Sequence, residues 1–289
     1  MAATKTISNY LSLIKFSHTI FALPFAIIGY FLAITFTKSA FDIRLFALVV
    51  LCMIFARSAA MAFNRYIDRT IDEQNARTAV REIPAGIVKP GNALFFVIIN
   101  CVLFIGATAF INTLCFYLSP VALLVVLGYS LTKRFTALCH LILGLGLSLA
   151  PIGAYLAVTG QFDWLPLFFS FAVLFWVAGF DIIYALQDED FDRSKELHSI
   201  PVVLGKKGAL MLSNILHAVS AGFIIYAGIY AGFGVSYWIG TTIYCALLIY
   251  QHLLVKPTDL SKVNLAFFTT NGIASVVFAV FVLIDLFVK

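Results

Sequence analysis

Charge is scarce in this sequence. Only 11% of its 289 residues are Asp, Glu, Lys or Arg, and 62% are hydrophobic. Mean hydropathy is +1.00. Soluble domains carry about 25% charged and about 45–50% apolar residues, so a soluble globular enzyme is excluded. Cysteine is sparse too. The five thiols, Cys52, Cys101, Cys115, Cys139 and Cys245, all sit in apolar segments and form no CxxC pair. That excludes a disulfide or zinc framework and leaves them as small buried hydrophobes. No low-complexity tract, linker or soluble module interrupts the apolar texture, so residues 1–289 are expected to form one integral membrane domain. No small-residue cleavage site follows MAATKTISNYLSLIKF, and the first apolar run is read as a retained helix.

The sequence is rich in runs long enough to cross a bilayer, which needs about 20 apolar residues. Nine are predicted, at 17–36, 44–63, 91–111, 114–132, 137–158, 164–184, 209–231, 235–254 and 264–287. The fold class is therefore all-α, a bundle of about nine transmembrane helices. With the N-terminus cytoplasmic, 16 of the 19 Lys and Arg lie on the cytoplasmic side and only Lys38, Arg44 and Lys289 lie opposite. The positive-inside rule favours that orientation. It also accounts for the net charge of +5, with no nucleic-acid partner required.

Acidic residues are concentrated. Asp68, Asp72, Glu73 and Glu82 follow the second run; Asp181, Asp188, Glu189, Asp190, Asp192 and Glu196 end or follow the sixth. Together they make 10 of the 14 acids, all on the side assigned to the cytoplasm. Asn64, Asp68 and Asp72 recur every four residues, which on a helix is one face. Asp181, Tyr184, Asp188 and Asp192 form a second such stripe. Like charges at this spacing destabilise an isolated helix, so the stripes call for a cation. Asp181 follows VLFWVAGF and falls at membrane depth, where an ionisable side chain is a functional candidate. All-oxygen donors select a hard cation. Mg²⁺ in particular bridges a few carboxylates to substrate phosphates. Arg and Lys beside the stripes suit phosphate oxygens. An apolar bundle with this rim would take a lipid tail and its diphosphate head.

The stretch N-x3-D-x3-D with R-T-x-x-R-x-x-P-x-G (Asn64, Asp68, Asp72, Arg77, Thr78, Arg81, Pro84, Gly86) resembles the first signature of the UbiA superfamily of intramembrane prenyltransferases. D-x2-Y-x3-D-x3-D (Asp181, Tyr184, Asp188, Asp192) resembles the second, and YSLTKRFT at 129–136 resembles the basic segment between them. Arg57 matches the arginine that often precedes the first signature, and KFSHTIFALP at 15–24 resembles the start of these proteins. The resemblance covers nearly the whole chain and looks most like the bacterial 4-hydroxybenzoate polyprenyltransferase branch, including its futalosine-route menaquinone relatives. Glu82-Ile83 departs from the Pro-Leu that many members carry there.

The resemblance implies Mg²⁺-dependent transfer of a polyprenyl chain from polyprenyl diphosphate to an aromatic acid acceptor, through an allyl cation. The site would face the cytoplasm at a bacterial inner membrane. Expected metal ligands are Asn64, Asp68, Asp188 and Asp192, with Asp72 and Asp181 close behind. Expected substrate contacts are Arg57, Lys133 and Arg134, then Arg77 and Arg81, with Asp181 at the substrate. Asp68, Asp188, Lys133 and Tyr184 are the expected catalytic set, Tyr184 through a hydrogen bond or its ring face. No residue is assigned as the base that removes the acceptor's ring proton. Aromatics are expected along the tail tunnel. Arg69, Arg193 and Lys207 are read as topology charges, Glu189 and Asp190 as solvated. His140, His217 and His252 are read as packing or interfacial residues, while His18 and His198 are candidates for a substrate role. Gly144, Gly146 and Ser148 are read as close-packing positions. The alternative is a membrane cation transporter using the same acidic stripes.

Overall fold

The computed structural model describes residues 2–288, and the side chains of all of these except 2–7 and 16–18. His18 lies outside the described side chains. Among the described residues the secondary structure is helical, with one isolated bridge between Lys256 and Asp259.

Long helices form at all nine predicted positions. They are α2 (Leu23–Thr37), α3 (Ile43–Ile67), α5 (Pro90–Ala109), α6 (Thr113–Thr132), α7 (Cys139–Thr159), α8 (Trp164–Ala185), α10 (Ile200–Tyr230), α11 (Val235–Leu254) and α12 (Asn271–Val288). Three short helices complete the set: α1 (Ala2–Leu13), α4 (Arg69–Gln74) and α9 (Glu189–Ser194). Among the described residues, eight spans are long and apolar enough to cross a membrane. The ninth predicted span, α11, falls short of the others in apolarity because it carries Tyr237, Thr241, Tyr244, Gln251 and His252.

Three boundaries depart from expectation, each for a local reason. The run at 17–36 opens as a 3₁₀ turn (Phe16–Phe21) before α2, whose Pro24 sits in the first turn, where a missing N–H costs nothing. The seventh run starts at Ile200, not near 209. Its first turns look like a loop because Gly205, Lys206, Lys207 and Gly208 interrupt the apolar pattern. Gly205 takes φ 66°, ψ 171°, a region essentially reserved for glycine, and kinks α10 there. The last run begins as a π-helical turn (Leu265–Thr270), where Asn271 Nδ2 donates to the carbonyls of Ala266 and Phe267 at 2.9 Å. A side chain inserted into the backbone ladder loosens it in this way.

The core gathers where α2, α8, α10, α11 and α12 meet, around fully buried Phe25, Phe169, Trp176, Tyr237, Tyr244 and Phe278. By contrast α5 and α6 expose Phe95, Val102, Tyr117 and Leu124, as suits helices facing lipid. Pairs of polar side chains are bonded inside the core. Trp176 Nε1 donates to Asn271 Oδ1 at 2.8 Å, and His217 Nδ1 lies 2.8 Å from His252 Nε2. Close approach between α7 and α8 depends on Gly144: a Cβ there would lie 2.3 Å from the Leu174 carbonyl oxygen. At Gly146 a Cβ would meet only Val126 at 3.7 Å, so that glycine is not required for packing.

Candidate active site

The two acidic signatures share one local structure. In the first, α3 ends at Ile67, Asp68 turns at φ −88°, ψ 3°, and α4 follows. In the second, α8 ends at Ala185, a 3₁₀ turn runs to Asp188 at φ −106°, ψ 2°, and α9 follows. Both aspartates occupy the sparsely populated bridge region, where active-site residues often sit. The Asp72 amide still donates to the Asp68 carbonyl at 2.7 Å, so the four-residue spacing carries the stripe across the break.

The twelve residues singled out by the sequence all line one cavity of about 270 Å³: Arg57, Asn64, Asp68, Asp72, Arg77, Arg81, Lys133, Arg134, Asp181, Tyr184, Asp188 and Asp192. Four carboxylates are each held by a base. Arg134 Nη2 lies 2.9 Å from Asp68 Oδ1, and Arg81 Nη1 lies 2.6 Å from Asp72 Oδ1. Lys133 Nζ lies 2.8 Å from Asp192 Oδ1. Arg77 takes Asp188 with two nitrogens, Nε at 2.9 Å from Oδ1 and Nη2 on Oδ2. Its remaining nitrogen donates to Tyr184 Oη at 2.9 Å, and its guanidinium carbon lies 5.2 Å from the Tyr184 ring centre. Asn64 Nδ2 donates to Asp68 Oδ2 at 3.1 Å. Taking charges out of water costs free energy that only well-paired partners offset. Burial raises the Asp68 carboxyl above its usual range even though Arg134 pulls the other way. Burial also pulls on Arg77 in the opposite sense, yet its bonds to Asp188 leave the guanidinium above its ordinary value.

Asp181 stands apart from these pairs. Its Oδ2 lies 2.7 Å from His140 Nδ1. Tyr184 stacks on Phe267 with ring centres 4.2 Å apart, and Phe267 is delivered by the π-helical turn before α12. Arg57 is half-buried, its buried Nε has no hydrogen-bond partner, and no carboxylate pairs with it among the described residues. It lines the polar cavity and also a second, aliphatic cavity of about 350 Å³ between α3, α5, α6 and α7. Met61, Tyr129, Leu143 and Leu147 are likewise shared, so the two cavities meet.

Several expectations are corrected. His140 is not a packing residue, because it bonds Asp181 in the cavity wall. His198 is exposed and outside the cavity lining. Glu189 is buried and accepts from Arg193 at 2.9 Å, whereas Asp190 is exposed. The aliphatic cavity holds few aromatics, chiefly Phe104, Tyr129 and Phe162; Phe21, Phe180, Tyr184, Phe191 and Phe267 line the polar one. Arg69 stays out of the cavity, over the ring of Tyr66. Asn75 was missed although it bridges the two signatures, donating to Asp188 Oδ1 at 3.1 Å. The signal was present: Asn75 lies 11 residues after Asn64, three helical turns on, and returns to the same face.

The donor set fits Mg²⁺. Asn64, Asp68, Asp72, Asp188 and Asp192 offer only oxygen, and Asp72 Oδ2 is buried without a hydrogen-bond partner. Among the described residues no three Asp, Glu, His or Cys side chains form a ready cage. Mg²⁺ does not require one, since it is commonly held by one or two carboxylates plus substrate phosphates and water.

Comparison with known proteins agrees with this geometry. Residues 22–273 match the UbiA prenyltransferase family. A 4-hydroxybenzoate octaprenyltransferase of Burkholderia ambifaria is 30% identical over 237 residues, 81% of each chain. One from Aliivibrio salmonicida is 31% identical over 242 residues, covering 82% of this chain and 83% of that protein. The apo structure of a UbiA homologue from Aeropyrum pernix superposes with a TM-score of 0.83 at 32% identity, over 93% of this chain and 98% of that one. A UbiA homologue from Archaeoglobus fulgidus, solved with DMAPP and Mg²⁺ bound, shares the fold at 22% identity, with a TM-score of 0.76 over 97% and 100%. The protein is an integral membrane prenyltransferase, and the chain belongs to the UbiA prenyltransferase family.

Proposed function

We propose that this chain transfers a polyprenyl group from a polyprenyl diphosphate to an aromatic acid, 4-hydroxybenzoate or a dihydroxynaphthoate, in quinone biosynthesis, with Mg²⁺ as cofactor. The observation that carries this reading is the junction of two cavities, one ringed by carboxylates and bases, the other aliphatic. An amphiphile with a diphosphate head and a hydrocarbon tail matches both. The names of the relatives from Burkholderia and Aliivibrio point to the acceptor class.

Asp68, Asp72, Asp188 and Asp192 are paired with Arg134, Arg81, Arg77 and Lys133. The substrate head would exchange these contacts. Its phosphate oxygens take the freed bases, Arg with a planar fork and Lys as a point charge. Asn64, Asp68, Asp72, Asp188 and Asp192 would hold Mg²⁺, which when bound supplies positive charge to offset that of a leaving diphosphate. Tyr184 and Phe267, stacked on each other in the cavity wall, would place aromatic rings near the allyl cation as the allylic C–O bond opens. The apolar wall keeps water from quenching that cation.

Residues 1–289 act as one domain in a bacterial inner membrane, with the N-terminus and the site on the cytoplasmic face. The placement of 16 of 19 Lys and Arg supports that orientation. The transporter alternative has no support from the site, where signature carboxylates ring one cavity with bases between them.

The test is transfer itself. Purified protein in detergent with Mg²⁺ receives a labelled polyprenyl diphosphate and a panel of aromatic acids, beside Asp68→Ala and Asp188→Ala. A prenylated acid formed by wild type and lost in both variants supports the reading. Cation flux in vesicles without transfer to any acid would overturn it.

A further inference from the structure

We propose that Asn271 is a positioning residue for the reaction, holding Phe267 against Tyr184 and so deciding whether the allyl cation meets the acceptor ring or water; this rests on the proposed transfer to an aromatic acid. The first argument is the aromatic pair itself. Phe267 and Tyr184 stack with ring centres 4.2 Å apart, and both line the polar cavity. Phe180 and Phe21 lie edge-on to Phe267 at 5.4 and 5.6 Å. Phe267 reaches this wall from the π-helical turn Leu265–Thr270, which runs straight into Asn271 at the start of α12.

The second argument is that the surroundings of Asn271 fix which way its amide faces. Indole nitrogen only donates, and Trp176 Nε1 lies 2.8 Å from Asn271 Oδ1, so the amide oxygen faces Trp176. The Nδ2 donors therefore face the other way, to the carbonyls of Ala266 and Phe267 at 2.9 Å and to Gln251 Oε1 at 3.2 Å. Gln251 in turn brings Nε2 within 3.4 Å of His217 Nδ1. His217 Nε2 lies 3.1 Å from the Trp176 carbonyl oxygen, so the proton sits on Nε2 and Nδ1 of the neutral ring accepts. Trp176, Asn271, Gln251 and His217 come from α8, α12, α11 and α10 and close a ring of hydrogen bonds, with Asn271 and Gln251 fully buried in it.

Helical phase is the third argument. The Asn271 side chain occupies two backbone carbonyls of the turn, which keeps the wider π turn open. A π turn holds about one residue more than an α turn, and one residue is about 100° of rotation. Without that amide the ladder can close as α-helix, and Phe267 swings by about that angle relative to α12, away from Tyr184. The consequence is chemical. When the allylic C–O bond breaks, its electron pair leaves with diphosphate, and two nucleophiles can close the cation. A π pair of the acceptor ring forms a C–C bond, after which the ring releases a proton and regains aromaticity. A lone pair of water instead forms a C–O bond, and release of a proton leaves the prenyl alcohol. Stacked rings stabilise the cation and cover it on their side. With Phe267 rotated out, that side is open to water.

The experiment uses full-length protein in detergent with Mg²⁺, a labelled polyprenyl diphosphate and the aromatic acid that wild type uses best, and measures prenylated acid against prenyl alcohol. Asn271→Ala is expected to lower kcat for transfer by about tenfold, the scale of one desolvated cation–π contact, and to raise the share of alcohol. KM for the diphosphate stays within about threefold of wild type, since the bases and carboxylates of the rim are untouched. Phe267→Leu should do the same, and Asn271→Ala should add little on top of it, because both act through one ring. Trp176→Phe keeps a ring in the core and removes only the Nε1 donor. It frees the amide to turn and should shift the partition in the same direction, which tests the proposal even where Asn271→Ala fails to fold. A merely structural role would lower the active fraction and leave the ratio of acid to alcohol untouched. A wild-type ratio in Phe267→Leu or Trp176→Phe, or full additivity of Asn271→Ala and Phe267→Leu, would overturn the assignment. Wild-type protein that transfers to no acid would overturn the parent reading, and this one with it.

Discussion

The guanidinium of Arg77 spans the two acidic signatures: it holds both oxygens of Asp188 and reaches Tyr184 Oη at 2.9 Å. One side chain thus closes the cavity rim across 111 residues of sequence. A planar fork makes this contact and an ammonium cannot. Arg77→Lys is therefore expected to behave as a loss, lowering kcat/KM for prenyl transfer by about 10²–10³, the usual effect of removing one electrostatic clamp. Steady-state assays with a labelled polyprenyl diphosphate check it. A Lys variant within a few-fold of wild type would show that Arg77 is only a charge.

The same pairing predicts how the protein responds to metal removal. Because each of the four carboxylates has an Arg or Lys partner, a chelator should abolish transfer and diphosphate binding but leave the helical circular dichroism and melting temperature nearly unchanged. Mg²⁺ alone should stabilise little. Mg²⁺ with a non-reactive diphosphate at about 100 times its Kd should add about 2.7 kcal/mol. A protein that unfolds on chelation would contradict the pairing scheme.

Asp68 offers a test through pH. Its folded-state carboxyl is raised, with burial outweighing Arg134. A group raised on folding stabilises the fold when protonated, and that contribution is lost as pH rises through the raised value. Asp68→Asn removes this loss. The variant should be at least as stable as wild type near neutral pH, with a flatter stability profile across the carboxylate range, while transfer falls by about 10² or more. Thermal melts from acid to neutral pH decide it: a clear drop in stability at neutral pH would mean the Arg134 pair outweighs burial.

Much of this site was legible in the sequence because the stripes are helical and helices repeat. Asp68, Asp72 and Asn75 continue the face begun at Asn64, even though the helix breaks at Asp68. The nine apolar runs were legible for the same reason, as length and hydropathy suffice. The partner of Asp181 was not. His140 is a lone histidine in an apolar run, and only the packing of α7 on α8 brings it to Asp181. Nor was the π-helical turn legible, because it depends on where Asn271 sends its amide. The Gly205 kink hid the start of α10 behind two lysines and two glycines.

That α7–α8 contact is itself testable. Gly144 lies one turn beyond His140, and a Cβ there would press on the Leu174 carbonyl at 2.3 Å. Gly144→Ala should destabilise by about 1–3 kcal/mol, as overpacking does. It should lower transfer as well, since it pushes His140 from Asp181. Gly146→Ala, with its Cβ in ordinary contact, is the control and should melt like wild type. Equal melting temperatures for the two variants would remove Gly144 from the packing argument.

The aliphatic cavity sets the last prediction. Gly153 lines it, and a Cβ built there meets nothing within 4 Å. A side chain at 153 therefore grows into the cavity without pressing on backbone. Helix interiors also prefer other residues to glycine by about 0.5–1 kcal/mol, so Gly153→Phe should fold well. The ring would fill space that a long tail needs. Transfer from a long polyprenyl diphosphate should fall by about tenfold or more, while geranyl diphosphate, whose tail ends sooner, is spared. Competition between the two diphosphates in one reaction reads the ratio directly. If Gly153→Phe lowers both equally, the tail does not run past Gly153. If it lowers neither, the hydrocarbon tail does not occupy the cavity beside Gly153.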